Sequence, residues 1–116
     1  MTGRAELEAV LVPVAMSGGV TTYRDLAVAL GLKPPGTVQK VATALEAMMG
    51  EHAAEGRPQL AAVVVSRSGE GLPAPGFFER LVELGLYDGP PEGPGAAAFH
   101  AAELARVREH WGPPEG

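Results

Sequence analysis

The stretch VTTYRDLAVALGL (residues 20–32) decides the predicted fold, because it carries both a start signal and a stop signal for a helix. Thr21 or Thr22 can cap the start by accepting a backbone N–H hydrogen bond. Gly31 suits the left-handed position that ends a helix, and apolar residues recur between the two signals. A helix of only about ten residues is marginal alone, so this one must pack against neighbours.

Helices are also predicted on both sides of this stretch. Residues 3–16 carry apolar residues at helical spacing, and Pro13 is expected to bend or shorten that first helix. After the turn KPPG (33–36), Thr37 can cap a third helix of about fifteen residues. Its predicted apolar face carries Val38, Val41, Leu45 and Met48, and its polar face carries Gln39, Lys40, Thr43 and Glu46.

The second half of the chain is predicted to hold one strand and two helices. QLAAVVVSR (59–67) is typical of a strand because it contains three consecutive valines, and SGEG (68–71) is typical of a turn. Apolar spacing then predicts a short helix from Phe77 to Leu84. After a proline- and glycine-rich loop, a last helix is predicted from about Ala96 to Trp111.

This order of elements is that of a winged helix-turn-helix, with the third helix in the recognition position. We therefore predict a mostly α fold with a small β element, in which a winged helix-turn-helix-like domain spans residues 1–85. A loop and C-terminal helices, residues 86–111, are expected to pack on it, and residues 112–116 to form a flexible tail. LPAP (72–75) is a poor hairpin partner for the strand, so the wing is expected to be rudimentary.

Composition narrows the possible functions. The 116 residues include no cysteine, which excludes disulfides, thiolate metal sites and cysteine nucleophiles. No apolar run approaches the roughly 20 residues of a membrane span, so we expect no membrane association and a cytoplasmic location. The net charge is −5, which argues against a strongly electrostatic nucleic-acid binder.

The charge is unevenly distributed along the chain. Residues 20–67 hold five basic and four acidic groups, a balance of +1. Residues 68–116 hold three basic and eight acidic groups, a balance of −5. The acidity therefore lies mostly outside the predicted helix-turn-helix.

Two stretches carry a resemblance to a known family. VTTYRDLAVALGL and TVQKVATAL (37–45), followed by a proline, a valine run and a glycine turn, resemble the DNA-binding domain of alkylguanine-DNA alkyltransferases. They resemble equally the alkyltransferase-like proteins, which lack the reactive cysteine. The resemblance covers roughly residues 5–85 and implies a winged-helix fold that binds DNA. RPQLAAVVVSRSGEGLPAPGF (57–77) is also similar to small uncharacterised bacterial proteins.

The chain departs from that family at the residues that perform its chemistry. The alkyltransferase strand is entered by proline, cysteine, histidine and arginine, whereas Pro58 is followed by Gln59, Leu60 and Ala61. Without a thiolate there is no acceptor for an alkyl group, so we predict no enzymatic activity, no catalytic residue and no cofactor. The resemblance places Gln39 where the family has an arginine that enters the DNA minor groove, which weakens the case for nucleotide flipping.

The resulting hypothesis is a non-enzymatic protein that binds double-stranded DNA, mainly through its phosphates. Tyr23 matches a family tyrosine near the DNA backbone. The alternative is a protein–protein interaction module, in which Tyr23 packs half-buried, Thr22 and Thr37 only cap helices, and the acidic C-terminal helices face a basic partner. The predicted DNA-binding residues are Thr22, Tyr23, Arg24, Thr37, Gln39, Lys40, Thr43 and Arg67.

Other candidate sites are weaker. His52, His100 and His110 are too scattered for a metal motif, so no metal site is expected. Ser66 and Ser68 near Arg67 have no histidine base close in sequence, which leaves a hydrolase triad speculative. Glu79 and Glu83 are four residues apart and are interpreted as the solvated edge of a helix. Trp111 is interpreted as a core or docking residue, with a dimer contact as the alternative.

Overall fold

Five helices and two very short strands form the protein in this computed structural model, which describes residues 2–67 and 71–112. The fold is mostly α with a small β element, as predicted. No helix in the described ranges combines the length and the apolar character needed to cross a bilayer. The elements are α1 (Arg4–Ser17), β1 (Thr21–Thr22), α2 (Tyr23–Ala29), α3 (Thr37–Ala54), a 3₁₀ turn (Leu60–Val63), β2 (Val64–Val65), α4 (Pro75–Glu83) and α5 (Gly93–Trp111).

Residues 58–65 form the centre of the protein and are buried along their whole length. The 3₁₀ turn contacts α1, α3 and α5, so helices surround this segment. The predicted strand over residues 59–67 is therefore wrong in its extent, since only Val64–Val65 is extended in a sheet. The sheet cannot be longer because β1 offers only Thr21–Thr22 before the chain turns into α2.

The two strands pair in parallel, with Thr21 opposite Val64 and Thr22 opposite Val65. The partner of β2 is thus a strand that precedes it by more than forty residues, and not a hairpin strand that follows the turn. Beyond β2 the amide of Ser66 donates to the carbonyl of Leu72 at 2.8 Å. Residues 68–70 of the predicted SGEG turn, and 113–116 of the predicted tail, lie outside the described residues.

The predicted ends of α2 are confirmed. The Thr22 hydroxyl accepts a hydrogen bond from the Asp25 amide at 3.1 Å, which is the N-cap bond. At the other end Gly31 has φ +70° and the Leu32 amide donates to the Ala27 carbonyl at 3.0 Å. This is the glycine-dependent termination that the sequence predicts.

The predicted start of α3 is wrong by one residue. Gly36, with φ +73°, occupies the N-cap position without a side-chain cap bond, and Thr37 is the first helical residue. Val38 was expected on the apolar face but is 53% exposed. The buried face of α3 lies further round the helix, because α1 and the 3₁₀ turn pack against it there. That face carries Val41, Leu45, Met48, Met49 and His52.

The backbone of the central segment is partly hydrogen-bonded to side chains of α5. His100, which is buried, contacts the Ala62 carbonyl through Nε2 at 2.8 Å, so this nitrogen carries the hydrogen. The buried carboxylate of Glu103 accepts from the Gln59 amide at 2.7 Å. Most of this segment has no strand partner, so these polar side chains supply bonds that a sheet would otherwise give.

A charged network holds the start of α1 to the end of α3. The Arg4 guanidinium bonds to Glu8 at 2.6 Å and to Glu55 at 2.7 Å. His52 is completely buried between these helices and contacts the Glu8 carboxylate through Nε2 at 3.0 Å. Hydrogen bonding to Arg4 lowers the pKa of the Glu55 carboxyl to about 2. The same guanidinium, and secondarily His52, lowers the pKa of Glu8.

This network predicts a loss of stability in acid. Both carboxyls have lower pKa values in the folded state, so their contribution is present above the unfolded value of 4.5 and is lost as the pH falls through their folded values. Urea unfolding midpoints should therefore fall as the pH drops from about 5 to about 2. The Arg4→Gln variant should be less stable at pH 7 and should show a shallower decline. Parallel curves for the two proteins would contradict this assignment.

Because the central segment is buried on every side, substitution of any one of its three valines should lower the stability of the protein to a similar extent. Val63→Thr, Val64→Thr and Val65→Thr each keep the side-chain shape and add a buried hydroxyl, which costs about 1–3 kcal/mol in proteins. Urea unfolding should show a loss in that range for all three variants. Val28→Thr, at a residue 72% exposed, is the control and should change stability by less than about 0.5 kcal/mol. A large loss of stability at Val63 and Val65 with little loss at Val64, or the reverse, would instead indicate a strand with one solvent-facing side.

Candidate nucleic-acid interface

Three predicted DNA-binding residues meet in an open groove on the outer face of α3. Gln39, Lys40 and Thr43 line this groove, which has a volume of about 470 Å³. The Gln39 amide donates to the Thr43 hydroxyl at 3.4 Å. All three side chains are exposed, on the side of the helix away from the core. The remaining lining residues are Thr2, Leu32, Ala44 and Ala47.

A second lysine accompanies Lys40 at this groove. The Lys40 ammonium group donates to the backbone carbonyl of Lys33 at 3.2 Å, which places the turn between α2 and α3 beside the groove. Lys33 is exposed and was not among the predicted contact residues. Its position in the turn between two predicted helices, close to Lys40 in the sequence, was the signal that could have identified it.

Tyr23 lies on a different side of α3 from this groove. Its hydroxyl accepts a hydrogen bond from the Ala74 amide at 3.0 Å, which ties the start of α2 to the start of α4. The ring borders a cavity of about 40 Å³ together with Ala42 and Glu46 of α3. This cavity is far below the roughly 300–1,000 Å³ of typical small-molecule sites. Burial raises the pKa of the Tyr23 hydroxyl.

The two predicted contact threonines at helix starts are both half-buried. The Thr22 hydroxyl is engaged as the cap of α2. Thr37 lies in the first turn of α3 and does not cap it. Thr22 therefore has a structural role in the free protein, whereas Thr37 has no side-chain hydrogen bond among those found in the described residues.

Arg24 and Arg67 lie at one end of the two-stranded sheet. Because the strands are parallel, both chains leave the sheet at the same edge, after Thr22 and Val65. Arg24 is the second residue beyond the first strand, and Arg67 is the second residue beyond the other. Both are exposed. The register thus places two cations that are 43 positions apart in the sequence after the same end of the sheet.

Ion pairs separate the cations of the described residues into two groups. Arg4, Arg57, Arg80 and Arg106 each have a glutamate partner within 4.0 Å. Arg108 instead donates to the Gly18 carbonyl at 2.8 Å. Four other cations have no described carboxylate within that distance, namely Arg24, Lys33, Lys40 and Arg67. The first three lie on α2, on the turn after it and on α3, and the fourth follows β2.

The histidines occupy three different environments. His52 is buried beside Glu8, and its ring centroid lies 5.4 Å from that of Trp111. His110, which is exposed and directly precedes Trp111, has its ring centroid 4.4 Å from that of the same indole. His100 lies apart from them, at the Ala62 carbonyl. Trp111 is half-buried and packs against the core, which agrees with its interpretation as a docking residue.

The remaining charged candidates lie on the surface. Glu79 and Glu83 are both exposed, and Glu83 pairs with Arg80 at 3.4 Å. Arg80 also donates from Nε to the Glu46 carbonyl at 3.1 Å and thereby joins α4 to α3. Of the suggested pair of serines, Ser68 lies outside the described residues, whereas the Ser66 amide donates to the Leu72 carbonyl.

Comparison of the chain with known protein families, with curated proteins and with solved structures finds no match. The resemblance to alkyltransferase DNA-binding domains therefore stays a prediction from short sequence motifs.

The bond between Tyr23 and Ala74 predicts a structural role for this tyrosine. Tyr23→Phe keeps the ring and removes the acceptor of the Ala74 N–H, which should destabilise the protein by about 0.5–1.5 kcal/mol in urea unfolding. Tyr87→Phe is the matched control, because the Tyr87 hydroxyl donates to the exposed carbonyl of Pro90 at 2.8 Å. It should cost less, since water can replace that bond. Equal stability of Tyr23→Phe and the unmodified protein would show that the bond contributes nothing.

Proposed function

We propose that this chain is a non-enzymatic DNA-binding protein that contacts mainly the phosphate backbone of double-stranded DNA through a helix-turn-helix. The observation that carries the proposal is the location of the cations that have no carboxylate partner among the described residues. Arg24, Lys33 and Lys40 lie on α2, on the turn and on α3, and Arg67 follows β2. Phosphate contacts need such available charge, because each contact releases counterions from the DNA.

The outer face of α3 supports its role as the helix that approaches DNA. Residues 37–44 include no acidic side chain, so this part of the helix does not repel phosphates. Gln39 and Thr43 offer an amide and a hydroxyl in the same groove as Lys40. Such groups bond to phosphate and sugar oxygens as readily as to bases, so we expect little sequence reading. Packing of α2 against α3 would hold the helix in place.

The winged-helix form of the proposal assigns the wing position to the turn after β2. The Ser66 amide is hydrogen-bonded there to the Leu72 carbonyl at 2.8 Å. Arg67 begins this turn and is exposed. Arg67 would add one phosphate contact beside the helix-turn-helix.

A protein–protein interaction module is the second candidate, and the exposed valines favour it. Val28 on α2 is 72% exposed and Val38 on α3 is 53% exposed. Apolar side chains on the same two helices could meet an apolar partner surface, and the net charge of −5 suits a partner with basic groups. In this alternative the protein binds no nucleic acid.

Fluorescence anisotropy with a short labelled duplex at several salt concentrations separates the two candidates. Phosphate contacts should give a log–log slope of affinity against salt of several units. The Arg24→Gln/Lys40→Gln double variant should lower this slope, by about 0.9 for each phosphate that loses its contact. Absence of binding at low salt would instead favour the interaction module.

The matched control for this experiment removes the same charge elsewhere. Arg57→Gln/Arg108→Gln also removes two positive charges, from a residue paired with Glu55 and a residue bonded to Gly18. Its slope should equal that of the unmodified protein. If the control and the Arg24/Lys40 variant change the slope equally, then net charge and not a defined interface governs binding.

A further inference from the structure

We infer that Arg24 and Arg67 bind one and the same phosphodiester group, at the edge where the two-stranded sheet ends. The inference rests on the proposed function and names a specific contact within it. It concerns a pair of residues that do not line the groove of α3.

The parallel register is the first argument. Thr22 and Val65 are directly paired, and neighbouring strands lie about 4.8 Å apart. Two residues further along each chain come Arg24 and Arg67, both exposed. An antiparallel pairing would have sent the two chains to opposite ends of the sheet. Parallel pairing sends both arginines to the same end.

Both chains are also held firmly where they leave the sheet. On one side the Thr22 hydroxyl caps α2, and the Tyr23 hydroxyl is bonded to the Ala74 amide. On the other side the Ser66 amide is bonded to the Leu72 carbonyl. Backbone positions next to both arginines are thus fixed before any ligand arrives, so less conformational entropy is lost when an anion binds.

Charge is the third argument. Asp25 follows Arg24 in the chain, yet neither it nor another described carboxylate forms an ion pair with Arg24 or Arg67. Two guanidinium groups at one edge repel each other, and an anion between them removes that repulsion. Four other arginines of this protein do have glutamate partners. Arg24 and Arg67 differ from them, since neither has a described carboxylate partner.

The chemistry of the two partners matches. A phosphodiester carries one negative charge on two non-bridging oxygens, and each guanidinium offers a planar pair of N–H donors to such oxygens. Two guanidinium groups can therefore bond to one phosphate from two sides. A contact of this kind fixes where α2 lies on the DNA backbone and reads no base.

The salt dependence of duplex binding reports how many DNA phosphates the protein neutralises. If both arginines bind one phosphate, Arg24→Gln/Arg67→Gln should lower the log–log slope by about 0.9 and weaken binding about tenfold near 0.1 M salt. Arg24→Gln and Arg67→Gln alone should each leave the slope almost unchanged, because the remaining arginine still neutralises that phosphate. A decrease near 1.8 for the Arg24/Arg67 variant would overturn the inference, since it would show two separate phosphates.

A second measurement observes the two side chains directly. In protein with ¹⁵N-labelled arginine, the Nε–Hε signals of Arg24 and Arg67 are assigned by their absence in the single variants. When duplex is added, the Arg24 and Arg67 signals should change chemical shift at the same ratio of duplex to protein. The chemical shift of the Arg57 signal should stay constant. A shift of one without the other would overturn the shared site. Circular dichroism of each variant checks that the fold is intact.

Failure of this inference can be told apart from failure of the proposed function. If the duplex binds and the Arg24/Arg67 variant keeps the full slope and affinity, the shared site is wrong and the DNA-binding proposal stands. If the unmodified protein does not bind the duplex at low salt, both are wrong.

Discussion

The fold depends on a backbone segment that is buried without the full hydrogen bonding of a sheet. Residues 58–65 lie in the core, but only Val64 and Val65 have strand partners. A buried N–H or carbonyl without a partner costs about 1–3 kcal/mol, so other parts of the chain must supply the bonds. Glu103 and His100 of α5 provide two of them, to Gln59 and Ala62. The side-chain amide of Gln59 in turn donates to the Met49 carbonyl of α3 at 3.2 Å.

This arrangement also determines where the candidate interface lies. The acidic second half of the chain supplies helices and polar side chains to the centre, so some of its charges are used in structure, as at Glu103. The first half leaves the outer face of α3 and the start of α2 uncovered. Their cations keep no described carboxylate partner. A protein with a net charge of −5 can in this way present a locally basic surface.

Features governed by neighbouring residues could be predicted from the sequence. The cap of α2 at Thr22 and its end at Gly31 involve contacts within a few positions, and both are confirmed. The valine run of 63–65 was read as a longer strand because valine signals burial as well as sheet pairing. How far the segment pairs depends on β1, which lies more than forty residues away and contributes only two residues.

The candidate site was only partly predictable for the same reason. Helical spacing placed Gln39, Lys40 and Thr43 together, and they do line one groove. Spacing cannot say on which side of α3 a residue from α2 will lie, and Tyr23 proves to be on another side. That Arg24 and Arg67 follow the same end of the sheet depends on strand register, which no local pattern of the chain encodes. His100 and Glu103 look like ordinary polar residues of a surface helix until the backbone they bond to is known.

The way α5 is attached bears on how the protein could be regulated. A covering helix held only by apolar contacts can be displaced by any partner with a similar apolar face. Displacing α5 would in addition leave the Gln59 amide and the Ala62 carbonyl without their partners in the core. A competitor would need a carboxylate and an imidazole or an equivalent donor at matching positions. Release of this helix is therefore thermodynamically linked to unfolding of the centre, and the acidic segment is ill suited to serve as a detachable inhibitor of the basic surface.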